Sequence, residues 1–350
     1  MRRIFSSYVS IIIFFLLSTA FAQPIVEAKH ERVGLVLSGG AARGLAHIGV
    51  LKALEEQGVV IDAIAGTSMG AVVGGLYAAG YSIAELEQLA TELDWQQALS
   101  DAPPREDIPF RRKQDDRDFL VKQKLSFRDD GTLGLPLGVL QGQNLAVLLE
   151  KLFARAGAVD DFDDLPIPFR AVAADISTGE AVVFSHGHLA LAVRASMSIP
   201  AVLTPVEVDG RLLVDGGISN NIPVDIARSM GVDRVIVVDI GSPLASTESL
   251  QTVFNILNQS VALLTRRNSE AQLATLQQQD ILIQPELAGF GITDFARAQG
   301  MMDAGYRAAD ALQWRLVALS QPLQEQPRLP SNQKKTKKKP VISGSSHLRV

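Results

Sequence analysis

Three short segments hold residues whose types and spacing suit acyl-transfer chemistry. The first is Gly66-Thr67-Ser68-Met69-Gly70, a G-x-S-x-G pattern. It follows an apolar run and precedes a small-residue helical stretch, the strand–turn–helix setting of a nucleophile elbow. In such an elbow the serine sits on a sharp turn in strained φ/ψ space. Side chains two positions either side would collide, so Gly66 and Gly70 leave the room the turn needs. The helix beyond aims its N-terminal N–H groups at developing negative charge. A turn without chemistry is the competing reading of the bare pattern, and the flanking strand and helix favour Ser68 as a nucleophile.

A nucleophilic serine needs a base. In α/β-hydrolases the order along the chain is serine, acid, histidine. The histidines here are His30, His47, His186, His188 and His347, and only His347 follows Asp215, inside a low-complexity tail. His47 falls on the helix before Ser68, where a surface or packing role is expected. The alternative base is a carboxylate. Asp215-Gly216-Gly217 ends an expected strand, and Gly216 and Gly217 give the loop freedom to bring Asp215 close to the serine. A carboxylate is a weak base in water; burial beside the hydroxyl strengthens it. Taken alone, Asp-Gly-Gly reads as a β-turn.

The third segment is Ser38-Gly39-Gly40-Ala41-Ala42-Arg43-Gly44, a glycine-rich loop opening a helix. It offers backbone N–H donors at Gly39, Gly40 and Ala41, with the cation of Arg43 beside them. A dinucleotide fingerprint would need an acidic residue at the end of the second strand, and that strand ends in Gly66-Thr67-Ser68. No Gly-Lys-Ser/Thr follows the loop, so it is not a P-loop. An oxyanion hole suits it better, and no cofactor is expected.

These segments must be carried by a sheet. Val33–Leu37, Val59–Ala65, Phe169–Ile176, Val235–Ile240 and Ile281–Gln284 read as strands, with Val206–Val214 as a hairpin around Asp209-Gly210. Helices are expected over Ala42–Gln57, Ala71–Ala79, Leu189–Ser198, Ile222–Met230, Leu250–Gln278 and Met301–Ala318. Alternating strands and helices predict an α/β fold with a mainly parallel central sheet. Residues 81–165 read as less regular, with a charged run at Arg111–Arg117 and an apolar stretch at Leu133–Val139 that suits either a lid or a packed loop.

Arg2 and Arg3, the apolar run Ile11–Leu17 and Ala20-Phe21-Ala22 form a secretory signal peptide over residues 1–22. The apolar run is shorter than the roughly 20 residues a spanning helix needs. A linker is expected over 23–32, a catalytic core over 33–240, a helix-and-strand extension of the same domain over 241–320 and a disordered Lys-rich tail over 321–350. The formal charge of -5 becomes -13 for residues 23–330 once the two leader arginines and the six cations after residue 330 are set aside. So acidic a body argues against nucleic acid as a partner. There is no cysteine, which excludes disulfides, thiolate catalysis and Cys-ligated metals. His186-Gly187-His188 reads as a glycine turn rather than a metal site.

Gly39–Gly44, Gly66–Gly70 and Asp215–Gly217 together resemble the three blocks of patatin-like phospholipases, in the same order. The resemblance covers roughly Val33 to Ile240 and implies a three-layer α/β/α fold. It implies a Ser–Asp dyad of Ser68 and Asp215, oxyanion contacts from Gly39, Gly40 and Ala41 with Arg43 nearby, and motif glycines at Gly44, Gly66, Gly70, Gly216 and Gly217. The family block is usually G-x-G-x-x-G; here Ala41 stands at its third position and keeps the N–H. Arg194–Pro200 resembles a family segment that orders the loop near the site. The implied activity is hydrolysis of a phospholipid or other lipid ester in lipid breakdown, at a membrane surface, with no metal and no cofactor. A soluble ester or thioester hydrolase and a non-catalytic lipid-binding module are the alternatives, and a homodimer is compatible with the sequence. With the leader, the resemblance is closest to exported bacterial passenger domains of the type V secretion class. The chain stops at Val350 without the alternating strands of a barrel, which predicts a passenger alone or a free secreted relative, in the periplasm, at the outer-membrane surface or outside the cell.

Overall fold

The computed structural model describes residues 31–101, 126–127, 133–134, 138–241, 244 and 246–320. The signal peptide, the Arg111–Arg117 run, most of the Leu133–Val139 stretch and the Lys-rich tail lie outside the described residues. The elements used below are β1 (Val33–Leu37), α1 (Ala46–Glu56), β2 (Ala63–Thr67), α2 (Met69–Ala78), α3 (Ile83–Glu92), α4 (Gln143–Leu152), β3 (Phe169–Asp175), β4 (Ala181–Phe184), α5 (Leu189–Ser196), β5 (Val206–Val208), β6 (Arg211–Asp215), α6 (Val224–Ser229), β7 (Arg234–Val238), α7 (Val253–Leu273), β8 (Ile281–Ile283) and α8 (Ala298–Asp310).

The sheet runs β8-β7-β1-β2-β3-β6-β5, with β4 also on β3. Strands β8, β7, β1, β2 and β3 are parallel, and β4, β5 and β6 are antiparallel to their neighbours. The parallel strands are apolar on both faces, as strands covered by helices on both sides must be. Side chains alternate between the faces. Leu35, Leu37, Ile64, Ile236 and Val238 join a large core with Leu51, Leu54, Val72, Met301 and Met302 of α1, α2 and α8. Val36, Ala63, Ala65, Val235 and Val237 pack on the other side with Val224 and Ala227 of α6. This is the expected three-layer α/β/α arrangement. Among the described residues no helix is long and apolar enough to cross a membrane.

The register already explains much of the site. Strand β4 follows one edge of β3 from Ala171 to Ala174. On the opposite edge β2 pairs as far as Thr67 with Val172, and β6 takes over with Asp215 opposite Ala173. Where the chain leaves the sheet at Ser68, β6 fills the vacated edge. Thr67 and Asp215 therefore face successive residues of one strand.

Several boundaries differ from the sequence reading. Strand β2 starts at Ala63 rather than Val59, because the backbone N–H of Asp62 donates to Val33 O (2.8 Å) and its carboxylate accepts the Val33 N–H (2.7 Å). Helix α3 lies in a stretch read as irregular. Its capping box was visible as Ser82-x-x-Glu85: Ser82 Oγ accepts the Glu85 N–H (3.3 Å) and the Glu85 carboxylate accepts the Ser82 N–H (2.9 Å). The expected closing helix is two, because α8 ends where the Leu312 N–H turns to Ala309 O (2.9 Å), and a second helix covers Gln313–Ser320.

Candidate active site

Strand β2 ends at Thr67 and α2 begins at Met69, so Ser68 is the sole residue of the turn. Its backbone lies at φ 54°, ψ -122°, a region that costs a non-glycine residue about 1–3 kcal/mol. Two close approaches enforce it. A Cβ on Gly66 would stand 2.5 Å from Gly70 O, and one on Gly70 would run into Leu37 O. The Ser68 N–H donates to Ser196 Oγ (2.8 Å), whose hydroxyl donates to Val172 O (2.5 Å).

Asp215 ends β6 within hydrogen-bonding reach of the Ser68 hydroxyl. Its backbone N–H donates to Ser198 O (2.9 Å), and its Oδ1 accepts the Gly217 N–H (2.8 Å). Only 5% of Ser68 and 8% of Asp215 are exposed. Burial pushes the Asp215 carboxyl up to about 6, against the opposing pull of the Ser68 and Gly217 hydrogen bonds. The result is a carboxylate still ionised at neutral pH and more basic than one in water.

The glycine-rich loop lies against the same point. A Cβ on Gly39 would stand 3.0 Å from Ser68 Cβ, and Gly44 packs directly on the Met69 side chain. The Gly39 N–H is committed to Asn221 Oδ1 (3.2 Å). Among the described residues no acceptor meets the N–H groups of Gly40 and Ala41. Ala41 holds φ at +50°, so the position usually filled by glycine keeps a glycine-like backbone. Arg43 is buried, its Nε unpaired among the described residues, and burial lowers its guanidinium pKa while Asp239 and Glu286 pull it back up.

His47 is fully buried, with Nε2 against Ser38 O (2.8 Å). The carbonyl accepts, so Nε2 carries the proton. Burial lowers the ring pKa to about 4, leaving a neutral imidazole that braces the loop. His188 caps α5 and faces Glu150 (3.4 Å), and Gly187 has φ +90°, a glycine turn.

A model of the patatin-like phospholipase family matches residues 35–228. The chain belongs to that family. An uncharacterised NTE family protein of Mycobacterium tuberculosis is 38% identical over 213 residues, which are 61% of this chain and 50% of that protein. Patatin-like phospholipase domain-containing protein 6 of Homo sapiens is 36% identical over 214 residues, 60% of this chain and 13% of that protein. The chain thus spans half or less of the length of these curated relatives. The crystal structure of VipD from Legionella pneumophila superposes with a TM-score of 0.45 at 17% identity, covering 81% of this chain and 67% of that one.

In this patatin-like chain the three blocks meet at the C-terminal ends of β1, β2 and β6. Arg194–Pro200 orders the surroundings: Arg194 Nη1 donates to Ser198 Oγ (2.6 Å), and Ser198 presents its carbonyl to Asp215. Ser196 reaches Ser68 itself, a contact that its place in the segment alone did not reveal. Asn221 and Asn268 were missed. Asn221 lies four residues past the last motif glycine, and Asn268 sits mid-helix in a polar stretch with no local signal.

Proposed function

We propose that this chain is a serine lipid acyl hydrolase, of phospholipase A or lysophospholipase type, working through a Ser68–Asp215 dyad. The observation that carries the reading is a buried, basic carboxylate at the serine hydroxyl, while His47 is turned away onto Ser38 O. Asp215 takes the proton of Ser68 as Oγ attacks the ester carbonyl carbon. The N–H groups of Gly40 and Ala41 receive the oxyanion, with Arg43 nearby. Collapse expels the alcohol, which takes the proton from Asp215, and leaves an acyl-enzyme. Water then attacks with Asp215 as base, the acid departs and Ser68 regains its proton. No step calls on a metal or cofactor.

Contact with a lipid surface is supported by α7, which exposes Ile256, Leu257, Leu263 and Leu264 along one side. Export is supported by the leader at residues 1–22, and nearness to type V passenger domains rests on that leader alone.

A fluorophosphonate probe tests the mechanism. It is expected to label Ser68, and both Ser68→Ala and Asp215→Asn to abolish esterase activity. Labelling elsewhere, or full activity in Asp215→Asn, overturns the dyad. Mass spectrometry of products from phospholipid vesicles and from short-chain esters tests the substrate class. Hydrolysis of short esters alone would indicate a soluble-ester enzyme, and vesicle binding without probe labelling a lipid-binding module.

A further inference from the structure

Helix α7 lies outside the segment matched by the family, yet it holds the site. Gly216 and Gly217 follow Asp215 in succession, and two glycines leave a loop with more conformational freedom than any other pair. Gly217 is nevertheless fixed at both ends. Its N–H donates to Asp215 Oδ1 (2.8 Å), and its carbonyl accepts from Asn268 Nδ2 of α7 (2.9 Å). The other end of the Asn268 amide is also used, since Oδ1 accepts the Asn221 N–H (2.9 Å). Asn221 in turn accepts the Gly39 N–H at Oδ1 (3.2 Å) and donates from Nδ2 to Ser269 Oγ (3.3 Å), one residue along α7. A primary amide has one acceptor and one two-proton donor, pointing in opposed directions. Each of these asparagines uses both ends.

We infer that Asn268 is a positioning residue for the proposed dyad, pinning the Asp215–Gly217 loop directly and the glycine-rich loop through Asn221. The inference rests on the Ser68–Asp215 reading. An amide serves both partners at that position with two separate atoms: a carboxylate accepts from Asn221 but cannot donate to Gly217 O, and alanine does neither. Asp215 itself faces the Ser68 hydroxyl and the Gly217 N–H, and no charged side chain among the described residues acts on it. Loosening Gly217 weakens the one backbone hydrogen bond that favours the ionised carboxylate.

The test compares wild type, Asn268→Ala and Asn268→Asp on a soluble p-nitrophenyl ester, with rates normalised to the sites a fluorophosphonate can titrate. Both variants are expected to lose kcat roughly ten- to a hundredfold, the range for an unmade buried hydrogen bond, with KM within about twofold. The acid limb of the kcat/KM profile is expected to move to higher pH in both. A purely structural role would lower melting temperature and titratable sites but leave the per-site kcat and the limb in place, and that result overturns the proposal. Asn268→Asp, nearly isosteric, serves if Asn268→Ala fails to fold. Absence of Ser68 labelling in wild type would instead overturn the dyad reading and the positioning role together; normal labelling of wild type with unchanged variants overturns the positioning role alone.

Discussion

Ser68 and Asp215 reach the same point in space by different physics. On the Ser68 side the restraint is backbone against backbone. Gly66, Gly70 and the strand end at Leu37 leave one path for the turn, and the strain is held by the core beneath it. On the Asp215 side the restraint is hydrogen bonding from distant chain: Ser198 O holds the backbone, and Asn268, itself bonded to the Asn221 N–H, holds Gly217 beyond. The first mode is rigid and local. The second is adjustable, depends on a helix some fifty residues away in sequence, and requires every buried polar group to find its partner.

The largest effect expected on both sides is loss of activity with a gain in stability. Asp215→Asn removes the base and is expected to lower kcat about a thousandfold or more. It also removes a carboxylate that folding makes harder to ionise. The folded carboxyl titrates at about 6 against an ordinary 3.8, so the ionised form costs stability above pH 6, and the cost fades as pH falls toward 4. Asparagine is expected to stabilise the protein at pH 7.5 by on the order of 2 kcal/mol. Ser68→Gly is expected to be equally inactive and more stable by about 1 kcal/mol through relief of strain. Thermal melts of both variants check the pair, and a destabilised Asp215→Asn would mean that the carboxylate is not strained by its burial.

Gly70→Ala probes the backbone side alone. Its Cβ meets Leu37 O, which cannot move without breaking β1 from its neighbours. A loss of several kcal/mol is expected, read as a lower melting temperature and reduced soluble yield. An alanine variant that folds normally would show the elbow to be softer than its geometry implies.

The asymmetry also explains what was legible in the sequence. Ser68 and its glycines are five consecutive residues, and their conformation follows from local sterics. The parallel strands were legible because apolar runs such as Val235–Val238 are buried on both faces. The hairpin at Asp209-Gly210 was legible because both residues adopt positive φ. Asp215 was found by its Asp-Gly-Gly block and by the want of a histidine after it outside the tail, where only His347 follows, and not by its spatial surroundings. Asn221, Asn268 and Ser196 act through contacts between segments far apart in sequence, and an asparagine on an expected helix looks like any exposed polar residue. Commitment of the Gly39 N–H to Asn221 was likewise invisible, since it depends on where two loops meet.

Ser196→Ala joins the two sides, because Ser196 holds the Ser68 N–H from the segment that also supports Asp215. The hydroxyl accepts from Ser68 and donates to Val172 O, so alanine leaves a buried donor and a buried acceptor unpaired. A cost of about 1–3 kcal/mol is expected, with kcat on a soluble ester down roughly tenfold and Ser68 still labelled by fluorophosphonate. Complete loss of labelling would promote Ser196 from support to participant.

The smallest effect expected is in acid stability, where His47 and Asp215 oppose each other. The His47 ring titrates at about 4 when buried against an ordinary 6.5. Its neutral form is therefore favoured by the fold, and that stability is lost as pH falls from about 6.5 toward 4. Asp215 runs the other way over nearly the same window, since the folded state takes up its proton first. In wild type the two partly cancel. Asp215→Asn removes the gain and leaves the loss, so its melting temperature is expected to fall more steeply than that of wild type between pH 7 and pH 4.5. Parallel slopes would mean that the histidine bracing the glycine-rich loop and the carboxylate beside Ser68 do not titrate in the same window, and the two sides of the site would then differ in electrostatics as well as in how they are held.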